Sequence, residues 1–118
     1  MKRSHHLAFW RLALAGCMVT IMVLSLLPLS ERLPTTGWDK SNHMLGFATL
    51  AFFSHWALPG RTAQALAALL AYGGLIEVLQ SFTPDRSAEL ADVIADGIGL
   101  AIGVGIATVV AALAKMRR

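Results

Sequence analysis

Three pairs of polar side chains recur at helical spacing inside otherwise apolar stretches of this chain. Asp39 and His43 are four residues apart, Glu77 and Gln80 three apart, and Asp92 and Asp96 four apart. Positions three or four apart share one face of an α-helix, so each pair projects from a single side. Lys40 and Asn42 flank the first pair, and Arg86 falls between the second and third. An imidazole titrates near neutrality and can act as a general base. Carboxylates favour hard divalent cations, which Glu77, Asp92 and Asp96 could hold together. Arg86 offers a planar donor fork for phosphate or carboxylate, with Lys40 as a second cation. His43, Glu77 and Asp92 are therefore the candidates for catalysis. Asp39, Lys40, His43, Glu77, Gln80, Arg86, Asp92 and Asp96 are the candidates for ligand binding. No HExxH motif is present, and no serine or cysteine is placed as an evident nucleophile. The residue types thus admit a metal or cofactor without naming one.

These residues need helices to position them, and the composition indicates which kind. Of 118 residues, 56% are hydrophobic and 14% charged, with a mean hydropathy of +0.62. Soluble domains carry about 25% charged residues. Apolar stretches predict helices over 7–29, 39–58, 62–82 and 90–114, forming one domain over 1–118. A helix needs about 20 residues to cross a bilayer core. Residues 12–30, 41–60 and 97–114 supply nineteen, twenty and eighteen positions without Asp, Glu, Lys or Arg. Residues 62–76 supply only fifteen before Glu77, so the third span reaches full length only with Glu77 inside it. A charge at the bilayer centre costs roughly 3 kcal/mol on insertion scales, so Glu77 must be protonated, hydrated or paired. The expected fold is all-α, a polytopic membrane protein with four transmembrane helices.

Threading the chain in and out places Lys2, Arg3, Arg11, Arg61, Lys115, Arg117 and Arg118 on one side with no acid. The other side receives all seven acids against Arg32, Lys40 and Arg86. Basic flanks stay cytoplasmic, which predicts both termini inside. The polar pairs then lie at the outer ends of the helices. The first apolar run is long for a signal peptide and lacks a clear small-residue cleavage site, so it is expected to be retained. Residues 1–6 read as a disordered basic tail, and Arg11 as snorkelling to the inner headgroups. Trp56 reads as an interfacial anchor, His55 as an ordinary boundary residue and Cys17 as packing. No clustered basic face of the kind that binds nucleic acid is visible. Gly99 and Gly103 form a small-xxx-small pair that permits close helix contact, within this chain or with another subunit.

Asp39-Lys40-x-x-His43, Glu77-x-x-Gln80 and the following Pro84-Asp85-Arg86-Ser87 resemble the VanZ-like membrane protein family. So does the stretch Asp92-Val-Ile-Ala-Asp96-Gly-Ile-Gly99. The similarity covers about residues 38–105. It implies a small bacterial cell-envelope protein with four membrane helices, in a family named for a protein linked to teicoplanin tolerance. This chain departs from the family in having Asp96 where Asn is frequent. It also has Gly46-Phe47 in a region where an aromatic commonly follows the histidine motif.

Three readings of function follow. The first is an outer-leaflet site in which Arg86, Lys40 and His43 bind an anionic membrane lipid or lipid-linked cell-wall intermediate. An intramembrane hydrolase or group-transfer enzyme using the His/Glu/Asp cluster is the second. In the third, the chain is a non-catalytic accessory or transport subunit, as a homo-oligomer or docked on a larger membrane partner. A purely structural alternative makes Glu77, Arg86 and Asp92 a salt-bridge latch over the loops.

Overall fold

The chain forms four helices, α1 (Lys2–Leu26), α2 (Asp39–Ala57), α3 (Thr62–Gln80) and α4 (Leu90–Met116). In this computed structural model the backbone is described for residues 2–26, 39–82 and 90–117, and side chains for 4–26, 41–82 and 90–117. Helix α1 starts at Lys2, so the basic segment expected as a disordered tail is helical. No glycine or proline precedes Gly16, and Lys, Arg, Leu and Ala are good helix formers. Residues 27–29 of the first expected span lie outside the described residues. Helix α4 runs two positions past its expected end and carries Lys115 in its last turn, where a cation complements the helix dipole.

Among the described residues, three helices are long and apolar enough to cross a membrane: α1 from Ser4, α3 and α4. Helix α2, expected as a fourth span, is described with its side chains only over residues 41–57. Its first turns are Asp39-Lys40-Ser41-Asn42-His43, and it carries Ser54 and His55 further on. Its packing compensates, because α2 lies against all three other helices and most extensively against α4. The result is an all-α, multi-pass membrane bundle with its most polar helix inside.

The faces sort accordingly. Helix α3 buries Ala65, Leu69, Gly73, Ile76, Glu77 and Gln80, and α4 buries Asp92, Ala95, Asp96, Gly99, Leu100, Gly103 and Ala107. The opposite face of α4 presents Ile94, Ile98, Ile102, Ile106 and Leu113. Apolar residues outside and carboxylates inside is the arrangement a lipid solvent demands. Leu14, Cys17, Met18, Ile21 and Met22 form one stripe of α1, packed on a core of Phe47, Leu50, Ala51, Leu69, Ile76 and Leu100.

Two glycines set how closely α2 and α4 approach. A Cβ at Gly99 would lie 2.4 Å from the Met44 carbonyl oxygen, and one at Gly103 would lie 2.1 Å from that of Ala48. The small-residue seam is thus filled by α2 of the same chain. At the far end of the bundle, Trp10 gathers Phe53 and Trp56 at ring separations of 5.7 and 6.2 Å. There Arg11 Nε donates to the Ala57 carbonyl at 3.0 Å, so this guanidinium caps α2. The turn from α2 to α3 passes through Gly60 at φ 75°, a left-handed conformation that glycine adopts without a Cβ penalty.

Candidate functional site

The start of α2, the end of α3 and the start of α4 meet at one end of the bundle. His43 lies four residues into α2, Glu77 three residues before the end of α3, and Asp92 two residues into α4. At about 1.5 Å rise per residue these positions fall within one turn of a common level. Asp96 lies one turn deeper. The site residues therefore arrive from three helices whose register is set by the α2–α4 glycine contacts and the α3 packing.

His43 Nδ1 and Asp96 Oδ1 are 2.8 Å apart, with side-chain exposures of 8% and 0%. With Asp96 ionised, its carboxylate only accepts hydrogen bonds and Nδ1 carries the proton of this contact. The electron pair of a neutral imidazole is then on Nε2. His43, Glu77 and Asp92 each turn one imidazole nitrogen or carboxylate oxygen to within 4.8 Å of the others. Glu77 is 5% exposed and Asp92 4%. Such a buried set can coordinate a metal ion or bind a polar ligand.

The surroundings hold these groups in place. The Asp96 carboxylate is lodged against the backbone of α3, since a Cβ at Gly73 would sit 2.5 Å from Asp96 Oδ2 and 3.2 Å from Phe47 Cζ. Gln80 is 1% exposed, and its Nε2 donates to the Ser25 carbonyl at 2.9 Å, tying α3 to the end of α1. Lower on the same seam, the Tyr72 hydroxyl donates to the Met18 carbonyl.

Of the residues singled out by sequence, His43, Glu77, Asp92 and Asp96 come together, and Gln80 faces α1. Asp39 is the first residue of α2. The side chains of Asp39 and Lys40 lie outside the described residues, as do Arg86 and any latch it would form. Sequence spacing put His43 on one face with Asp39 and carried no sign of its bond to Asp96, fifty-three positions away. It also did not single out Gly73, Ser25 or Tyr72. Gly73 had a signal, because it stands four residues before Glu77 on the same face of α3. The Ser25 and Met18 carbonyls had none, since any residue supplies that group.

The fold and this site define a multi-pass membrane protein with a His/Glu/Asp cluster buried at one end of its bundle. Residues 23–111 match the VanZ/LLP1 family, and the chain belongs to that family. All eight candidate ligand-binding residues fall inside the matched region. No curated protein and no solved structure matches the chain.

Proposed function

We propose that this protein is an intramembrane hydrolase or group-transfer enzyme whose reaction centre is the His43/Glu77/Asp92 cluster. The observation that carries the reading is the convergence of three donor groups, from three helices, within 4.8 Å in a buried position. Simple helix ends would be satisfied by caps and solvent. A buried imidazole oriented by a carboxylate beside two further carboxylates has the parts for acid–base work. Water or an alcohol would attack a phosphorus or carbonyl centre of the substrate. Glu77 or Asp92 would receive the nucleophile's proton and deliver it to the departing oxygen or nitrogen. The Nε2 electron pair of His43 would accept a hydrogen bond that orients the nucleophile, or engage an ion that acidifies it. Asp96 keeps that imidazole in one tautomer.

Depth in the bundle supports a substrate that reaches the centre from within the membrane, a lipid or lipid-linked envelope intermediate. The charge partition supports both ends of this chain on the cytoplasmic side, with the cluster at the outer leaflet of a bacterial inner membrane. On this reading residues 1–118 act as one domain. Lys40, Arg86 and Asp39 would line the approach, and Gln80 would brace it.

The test is turnover by purified protein of lipid-linked phosphates and amides extracted from envelope membranes, with products resolved by mass spectrometry. Wild type converts a member of that pool, whereas His43→Ala and Asp92→Asn each lose about 100-fold or more of the rate, the scale of a general acid–base contribution. Equal rates in wild type and both variants would refute these roles. Retention of one intact lipid without conversion would favour the binding reading.

A further inference from the structure

We infer that His43, Glu77 and Asp92 form a binding site for one divalent transition-metal ion, with Asp96 as the carboxylate that orients the histidine ligand. This deepens the proposed function, resting on the same cluster as the reaction centre.

The donor set is the first argument. One imidazole nitrogen and two carboxylate oxygens converge within 4.8 Å from three separate helices. Tetrahedral ligands at 2.0–2.1 Å from a zinc ion stand about 3.3 Å from one another. Closing that gap requires the Glu77 and Asp92 carboxylates to adjust when the ion binds. All three groups are buried, unlike the exposed acids that commonly lie close together on surfaces.

The second argument is the contact behind the histidine. Metal-bound histidines almost always donate their other ring N–H to a carboxylate, carbonyl or water. His43 has that arrangement, with Nδ1 held by Asp96 Oδ1 at 2.8 Å. Asp96 is itself fixed, fully buried and lodged against α3 where Gly73 leaves room. With Nδ1 so held, Nε2 is the ring atom a cation would take.

The ligand types choose the ion. Imidazole suits zinc, iron, nickel and copper, while all-oxygen sites suit magnesium and calcium. One nitrogen with two carboxylates favours a borderline ion such as Zn²⁺ or Fe²⁺. Three protein ligands leave a coordination position for water or substrate, the pattern of catalytic rather than structural zinc sites. A water bound there would be acidified toward neutrality and supply the nucleophile. His43 then serves as a ligand, and the second carboxylate oxygen of Glu77 or Asp92 would take the proton.

The measurement is metal content of the full chain, purified in detergent without chelator, followed by Zn²⁺ titration of the stripped protein. The expected result is about one Zn²⁺ or Fe²⁺ per chain as purified, and saturable binding of one Zn²⁺ after stripping. Glu77→Gln, nearly isosteric, and His43→Ala abolish the stoichiometric site. Asp96→Asn weakens affinity by about 10- to 100-fold, the usual consequence of losing a carboxylate behind a histidine ligand. Helicity by circular dichroism and monodispersity in detergent check that each variant is folded. Wild type that binds no Zn²⁺, or a folded Glu77→Gln that binds it as tightly as wild type, overturns the inference. Turnover that persists in chelator with metal-free protein overturns the metal while leaving the enzyme reading intact. Stoichiometric metal without any turnover does the reverse.

Discussion

Gly73→Ala places one methyl group where the Asp96 carboxylate now sits. The new Cβ would stand 2.5 Å from Asp96 Oδ2, 3.2 Å from Phe47 Cζ and 3.3 Å from Asp96 Cγ. Ordinary contact begins at 3.4 Å, so the carboxylate must shift by about 0.9 Å. A shift of that size either stretches the 2.8 Å bond to His43 to about 3.7 Å, beyond hydrogen-bond range, or drives the carboxylate into the imidazole. Overpacking costs about 1–3 kcal/mol. Losing a hydrogen bond to a charged group costs about 1.5–3 kcal/mol. Alanine returns about 1 kcal/mol of helix propensity relative to glycine. The balance is a loss of about 2–5 kcal/mol. Gly74→Ala is the internal control: it is the next residue in the same helix, and its Cβ would meet nothing within 4 Å. That variant retains wild-type stability or gains up to about 1 kcal/mol. Denaturant unfolding in a single detergent, followed by circular dichroism, measures both. Equal stability for the two alanine variants would refute the claim that Gly73 makes room for Asp96.

Gly103→Ala, whose Cβ would fall 2.1 Å from the Ala48 carbonyl oxygen and 2.8 Å from Ala51 Cβ, must push α4 off α2. It should cost about 3 kcal/mol or more by the same assay, because backbone cannot rotate aside. Gly105→Ala, with nothing within 4 Å, should be neutral, and a neutral Gly103→Ala would overturn the α2–α4 packing. Tyr72→Phe removes the hydroxyl that donates to the Met18 carbonyl and should destabilise by about 0.5–1.5 kcal/mol. A thermal midpoint unchanged from wild type would show that this contact does not hold α1 to α3.

Much of the fold was legible because lipid imposes simple rules. The spans of α1 and α4 followed from run length, that of α3 from a shorter run extended through Glu77, and the starts of α2, α3 and α4 from the polar residues and the Pro59-Gly60-Arg61 turn. The rank of α2 was harder to see. Its apolar run resembles the others, while its polar first turns suit it to the bundle interior. At the site, helical spacing brought out His43, Glu77, Asp92 and Asp96 but paired them within helices. Which partner each takes depends on the rotation of one helix against another. That rotation is fixed by glycine contacts with backbone atoms, such as Gly99 with Met44, and sequence spacing carries no trace of the facing atom. Arg11 shows the same limit, since its donation to the Ala57 carbonyl requires α1 and α2 to be docked.

The central position of α2 has a consequence for how the protein is made. Its broadest contact is with α4, the last helix to leave the ribosome. Until residues 90–107 have entered the bilayer, the backbone of Met44 and Ala48 has no glycine seam against it and His43 has no Asp96. The least apolar helix must therefore wait in the membrane, held by α1 and α3 alone, for a partner some fifty residues away. Biogenesis of the bundle is thus completed from its C-terminal end, and a chain stalled before α4 exposes its unfinished interior to lipid and to quality-control proteases.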